Sequence, residues 1–517
     1  MKKLVLVSSV LPILSSVLFA AACGDNNEGT PGIDGGVDID APAVDAPIDT
    51  PPTEFTYAAP YKVPLSPTGP DQIHSIVAGP GSSFYYAGFV AQSADPAAAN
   101  GAGLKAIFVG KTTATGPDFA FGNIPSSGVA LVGPANGAPF VTPTGSADEI
   151  DVAVQSDGKI LVSFSIANTV DPTDRDVAVA RLLPATGALD TTFGTDGLAR
   201  IDFGAKNVGT PVAADSARGL TVDANNNIFV HASVARPVVG SVDSDFAVAK
   251  LTADGKLADG TNGTTAWGPV ATPGKFYLDV QIAGVSKNAT ARGIIALADG
   301  SVLAGGYIAD GVTPGAQPAF FKLTAAGVLD TTFNTTGYFH DSVLAMQTEI
   351  YNFALHGTSV VTGGYGRDTG TLNDFVSLKI NTSTGARDLT WGGTTNGAKV
   401  FDPSGMALGS NCRNAIAMPG GKTLLLGSTG PGNAAAQDGV FAVLDANGNL
   451  DPKYGPTGIS RVKFNAAADQ NDAFWAGAVN GNTVMVAGWR GTGTAGTSVP
   501  QSATNNDDAY LVTFQVQ

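Results

Sequence analysis

One pattern recurs along most of this chain at a spacing of about sixty residues, and it limits the fold more than any other feature. Each unit reads as an apolar strand, a turn, a second apolar strand, a polar segment of variable length, a third strand, another turn and a fourth strand. The first turns are Pro80-Gly81, Asp157-Gly158, Asn225-Asn226, Asp299-Gly300, Gly357-Thr358, Gly420-Gly421 and Gly481-Asn482. Gly, Asn and Asp tolerate positive φ, so these pairs suit tight hairpins. Third strands align on Asp176-Val-Ala-Val-Ala-Arg-Leu182, Asp245-Phe-Ala-Val-Ala-Lys-Leu251, Asp374-Phe-Val-Ser-Leu-Lys-Ile380, Asp438-Gly-Val-Phe-Ala-Val-Leu444 and Asp508-Ala-Tyr-Leu-Val-Thr-Phe514, with Gln317 and Leu104 at the Asp place in the other two units. Four short strands per unit and seven units predict an all-β fold: a seven-bladed β-propeller of four-stranded antiparallel blades. A length of 517 residues would otherwise suggest several domains, whereas a ring of repeats makes 55–517 one domain, with blade repeats starting near residue 70.

The seventh unit ends at its third strand, in 508–517. The stretch 57–65, ahead of the first unit, has the apolar alternation of a fourth strand, and is expected to complete the last blade. Such a ring, closed by an N-terminal strand, leaves no open sheet edge to recruit other chains. Composition agrees, because 66 Gly, 31 Pro, 14% charged and 44% apolar residues suit many turns around a large core.

Between third and fourth strands stand Leu189-Asp-Thr-Thr-Phe-Gly and Leu329-Asp-Thr-Thr-Phe-Asn. Together with Asp157-Gly-Lys-Ile-Leu-Val and the Asp245-Phe-Ala-Val-Ala-Lys-Leu run, the first of these resembles the delta-60 repeat family of bacterial β-propellers. The resemblance spans about residues 68–517; its motifs are clear in blades two, three, four and six and altered or missing in blades one, five and seven. It implies a propeller and supplies no activity to carry over.

The N-terminus reads as an address. Met1-Lys2-Lys3 is a basic start, an apolar stretch follows, and Ala20-Ala21-Ala22-Cys23 closes a signal peptide expected over 1–22. Small residues before a cysteine resemble the bacterial lipobox, in which Cys23 is lipidated; an ordinary Ala-x-Ala cleavage site with an incidental cysteine is the alternative. Gly24 in place of an aspartate favours the outer membrane over inner-membrane retention, so the expected location is the cell envelope, anchored to the membrane through lipid. From Asp25 to Glu54 there are eight acidic residues, no Lys or Arg, and repeated Asp-Ala-Pro units. Such a segment cannot bury enough apolar area to offset its ordering entropy, so 23–54 is expected to be a disordered acidic tether. Calcium capture by its aspartates is an alternative, though no EF-hand spacing is present.

Charge and chemistry narrow the function further. The formal charge is −16, which argues against nucleic acid as a partner. His74, His231, His340 and His356 fall in different blades without metal-ligand spacing, so no metal is expected from them, and no cofactor fingerprint appears. Cys412 beside Arg413 is either a thiol of lowered pKa or a packed small hydrophobe. The recurrent third-strand aspartates are expected to be structural, since they repeat in most blades.

Two candidate sites emerge. The long connections, at 91–103, 167–175, 234–244, 310–317, 366–373, 428–437 and 491–507, collect on one face, a recognition surface on which Trp489 could offer an exposed aromatic. Aligned innermost strands place His74, Ile150, Arg218, Arg292, Tyr351, Arg413 and Trp475 around the loop-face end of the channel. Three guanidiniums there would trap a carboxylate, phosphate or sulfate, with Tyr351 and Trp475 for stacking; alternatively, Arg218 and Arg292 tie neighbouring blades together through backbone carbonyls. The expected function is a membrane-anchored binding or display module for a carbohydrate, peptide or protein. Its alternatives are a hydrolase or lyase acting on an acidic substrate at the channel mouth, or a purely structural envelope protein.

Overall fold

A computed structural model describes residues 55–65, 71–91, 105–135, 137–143, 149–171, 174–204, 213–238, 241–309, 315–405, 408–430, 437–462, 464, 472–490 and 508–517. The signal peptide, Cys23 and the tether, with its possible calcium ligands, lie outside these residues.

The seven units form seven blades. The regular pattern is seen in blade 5, where Gln347–His356, Ser359–Arg367, Asp374–Asn381 and Ala398–Phe401 pair antiparallel in that order from the channel outward. Blade 1 departs at its outer edge: Lys105–Thr113 pairs with three short pieces, Gly116–Pro117, Val129–Leu131 and Val141–Thr142. No α-helix occurs among the described residues, only four short 3-10 turns.

Blade 7 takes its fourth strand from the other end of the array. Tyr61–Lys62 pairs antiparallel with Asp508–Gln515, Tyr61 opposite Leu511, and flanking bonds run from Ala58 N to Thr513 O (2.7 Å) and from Val63 N to Ala509 O (2.9 Å). The ring is therefore closed by an N-terminal strand, as the alternation in 57–65 predicts.

Packing follows from the same geometry. A blade is covered on both faces, so its middle strands are buried along nearly their whole length, as in Ile160–Ala167 and Gln317–Leu323. Among the described residues the buried apolar side chains divide into seven clusters, each drawn from two adjacent blades, and one of them joins Met485 and Ala487 of blade 7 to Ile73 and Phe84 of blade 1. Seven interfaces for seven blades leave none open.

The recurrent motifs are structural. Third-strand aspartates grip a basic residue on the fourth strand: Asp176 with Arg200 (3.7 Å), Asp438 with Arg461, and Asp508 with Lys62 (2.6 Å). In the Leu-Asp-Thr-Thr-Phe run, the Asp190 carboxylate accepts from Thr192 N (3.1 Å) and Arg181 Nε (2.9 Å), while Phe193 is fully buried beneath the Arg181 guanidinium. Asp330 with Thr332 and Asp388 with Thr390 repeat the turn.

The connection at 234–244 is not a loop. The strands continue as Ile228–Val238 and Ser241–Leu251, with Val238 opposite Ser241, so this connection is an extended hairpin. Its β-branched residues, Val234, Val238 and Val242, supply the strand preference that the length of the segment obscured.

Candidate functional site

Six innermost strands begin with the same distortion. Pairing to the second strand skips one residue, leaving a β-bulge, and the skipped position holds His74, Arg218, Tyr351, Arg413 or Trp475; in blade 4 the skip covers Arg292 and Gly293. A bulge re-aims the extra side chain out of the pleat, here into the channel. In five blades the residue preceding the skip faces a glycine, namely Gly88, Gly306, Gly364, Gly427 and Gly488. At Gly364 the reason is close approach, since a Cβ there would lie 2.0 Å from Glu349 O. This strand-two glycine is the local sequence signal for the bulges, unnoticed in the repeat pattern because it carries no side chain.

Blade 2 behaves differently. Pairing starts at Asp151, one residue past the equivalent of the bulge, and Ile150 is buried in the core shared by blades 1 and 2. Its place in the ring is taken by Glu149, whose backbone N donates to Ala217 O across the blade boundary (3.2 Å). Ile150 is thus no ring residue, and Glu149 is one that alignment by strand position missed.

The six predicted side chains come together with Glu149 around one cavity of about 310 Å³ at the centre of the ring. Arg292 Nη1 donates to Glu149 Oε1, and Arg218 Nη1 lies 3.7 Å from the same oxygen. Arg292 therefore bridges blades through a carboxylate, not the backbone carbonyls expected of it. The guanidinium carbon of Arg292 sits 3.9 Å from the centroid of Tyr351, and that of Arg413 sits 4.4 Å from the same ring and 4.7 Å from Trp475. Arg413 makes no hydrogen bond or ion pair with any described residue, though its side chain remains partly accessible from the cavity. Beside it the Tyr351 and Tyr365 hydroxyls meet at 3.3 Å, and Tyr365 donates to Glu349 Oε2 (2.8 Å).

His74 forms wall, not charge. Ile150 N donates to its Nδ1 (3.4 Å), which leaves the proton on Nε2 to donate to Gln72 Oε1 (3.3 Å). Burial, with Lys105 and Arg218 nearby, pushes its pKa down to about 3, so the ring is neutral. A belt of bonds beneath the ring locks the blades: Ser75 to Asp151, Asp151 Oδ2 from Leu220 N (2.8 Å), and Asn352 Nδ2 to Asn414 Oδ1 (3.0 Å).

Trp489 is 4% exposed and packs on Trp475 at 5.0 Å, so it belongs to the wall behind the ring and not to a loop surface. Cys412 is buried and its thiol is pushed up to about 12 by desolvation, which outweighs Arg413 beside it; it is a packed hydrophobe. The histidines bind separately, His231 Nδ1 to Gly293 O (3.1 Å) and His356 Nε2 to Thr423 Oγ1 (2.9 Å). One carboxylate trio is assembled from stretches distant in sequence: Asp243, Asp245 and Asp279 bring oxygens within 4.8 Å of one another, with the Ser286 hydroxyl between Asp243 and Asp279. Of the long connections, 92–104, 310–314, 431–436 and 491–507 lie outside the described residues.

Comparison with known proteins adds architecture. A family model described as a domain of unknown function (DUF5122) β-propeller matches residues 155–193, and no curated protein matches the chain. Among solved structures, a protein of unknown function from Dyadobacter fermentans is similar at 10% identity and a TM-score of 0.41, covering 89% of this chain and 99% of that one. An ulvan lyase of polysaccharide lyase family PL25 is similar at 11% identity and 0.42, over 89% and 94%. The β-propeller domain of a trilobed protease from Pyrococcus furiosus is similar at 10% and 0.38, over 86% and 98%. Likenesses this remote carry no argument about ligand or reaction; what the sequence, the family model and the seven blades support together is that this chain is a β-propeller.

Proposed function

We propose that this protein is an extracytoplasmic binding module that holds an anionic group of a carbohydrate, peptide or protein at the channel mouth, and that Cys23 anchors it by lipid to the outer membrane. The observation that carries the reading is Arg413, a guanidinium cradled by Tyr351 and Trp475 that spends none of its donors on a described residue. Aromatic faces stabilise the cation while leaving its in-plane N–H groups for a carboxylate or sulfate. A chain of formal charge −16 repels anions at long range, so selection rests on this short-range geometry. A hydrolase or lyase reading draws support from the Tyr351–Tyr365–Glu349 hydrogen-bonded chain next to Arg413, which could pass a proton to or from a bound substrate.

The test is calorimetry and thermal denaturation of soluble residues 53–517 with D-glucuronate, succinate and neutral glucose, beside Arg413→Ala. The acids raise the melting midpoint of the parent only, and glucose raises neither. Equal shifts in the variant, or none in the parent, overturn the reading. Loss of product formation from an acidic polysaccharide in Tyr351→Phe would favour the enzyme. The anchor is tested separately by palmitate labelling in a bacterial host, which Cys23→Ala abolishes.

A further inference from the structure

Glu149 is the one ring position that carries a negative charge, and it is delivered by the one blade whose first strand lacks the bulge. Its Oε1 serves Arg292 and lies near Arg218, while Arg413, on the same tyrosine as Arg292, forms no ion pair with any described residue and has only the charge of Glu349 nearby. The site therefore has two anion positions side by side: one filled by the protein itself, the other open. Because both guanidinium carbons sit over Tyr351, at 3.9 and 4.4 Å from its centroid, they are no farther apart than the total of those distances. Arg292 Nε, buried and without a hydrogen-bond partner among the described residues, is a further donor that Glu149 leaves unused.

Resting on the reading of the cavity as an anion site, we infer that Glu149 is a resident stand-in for the second acidic group of the ligand, and that the ligand class is a compact dianion, such as a short dicarboxylate unit. One acidic group pairs with Arg413. The other displaces the Glu149 carboxylate from Arg292 and Arg218, and the displaced side chain turns toward the cavity solvent. A monoanion takes Arg413 and leaves Glu149 in place. The internal carboxylate lowers the affinity for dianions, because part of the interaction at Arg292 and Arg218 is already satisfied before the ligand arrives.

The experiment compares succinate with butyrate, equal in length and different by one charge, on the parent, Glu149→Gln and Arg413→Ala. Glu149→Gln keeps the shape of the side chain and removes its charge. Succinate binding strengthens in it by about tenfold, the scale of one charge-assisted contact freed from competition. Butyrate binding is unchanged by Glu149→Gln, and Arg413→Ala weakens both ligands. The melting midpoint of Glu149→Gln at low ionic strength falls without ligand, from repulsion among the arginines, and succinate raises it further than it raises the parent. If Glu149→Gln weakens succinate or strengthens both ligands alike, Glu149 is a positioning residue or a general charge effect and the stand-in is wrong, although the anion site stands. If neither ligand binds the parent or Glu149→Gln, the anion site falls as well.

Discussion

Single residues set how this ring responds to pH. Asp215, at the start of the first strand of blade 3, is buried with its Oδ2 accepting from Phe203 N (2.9 Å). Burial first, and then Asp202, Asp174 and Asp176, push its pKa up to about 8. A carboxyl raised in the folded state holds a proton that the unfolded chain has released, so its contribution is present at low pH and is lost as pH rises toward 8. The histidines act in the opposite direction: burial lowers His74 and His231 to about 3 and lowers His340 and His356 as well, and since the unfolded chain protonates them around 6.5 their effect fades over about one pH unit above that value. From about pH 7.5 to 8 the Asp215 effect therefore outweighs the histidines, with a slope of its own of up to about 1 kcal/mol per pH unit. Denaturant unfolding across that window should show the parent losing stability as pH rises. Asp215→Asn, which keeps an acceptor for Phe203 N, should remove most of the slope and equal or exceed the parent at pH 8. Identical slopes would refute the assignment.

At the scale of strands and turns, the bulge is the element that makes the site, and it depends on a neighbour with no side chain. Gly364→Ala should force the first strand of blade 5 away from the second, costing about 1–3 kcal/mol as overpacking does, and should weaken anion binding because Glu349 and Tyr351 flank the strained contact. Blade 3 sets the limit of that argument: Ala232 stands opposite Ala217 there, so a Cβ is tolerated where the strand after the skip carries Gly219. Urea unfolding of Gly364→Ala, with Ala232→Gly alongside, distinguishes a close-approach glycine from a merely weak strand former. The hairpins were legible in the sequence because Gly158, Asn226, Gly300, Gly357, Gly420 and Gly481 adopt positive φ, a requirement that acts on one residue at a time. Third strands were legible because two buried faces demand an unbroken apolar run, as in Asp438–Leu444. Glu149 was not, since strand position was counted from the repeat and blade 2 lacks the bulge on which that count relies. Trp489 was misjudged for a related reason: near the end of a strand, sequence does not tell whether an aromatic turns toward the loops or toward the ring, and here His74 and Trp475 draw it inward.

For the whole molecule, closure decides whether seven weak interfaces become one stable body. Each blade rests on its neighbours, and an open ring would expose two apolar faces and the outer edge of Asp508–Gln515. The clasp is short, with only Tyr61–Lys62 in regular pairing, but it is reinforced by fully buried Val63, by Lys62 with Asp508, and by Phe55, which packs on Phe441, Tyr454 and Phe514 at 5.5, 5.5 and 5.3 Å. Phe441 and Tyr454 belong to blade 6, so the N-terminal segment fastens two blades, not one. A chain beginning at residue 66 should therefore melt well below one beginning at residue 53 and should associate through the bared edge, giving larger species in size-exclusion chromatography. Phe55→Ala in the longer chain should lower stability by roughly 3 kcal/mol, the range for an aromatic removed from a packed site, discounted for its partial exposure, while leaving its size in solution unchanged because the strand bonds remain. If the shorter chain keeps the size of the longer one and melts with it, the interblade cores alone hold the ring and the N-terminal strand is an ornament to it.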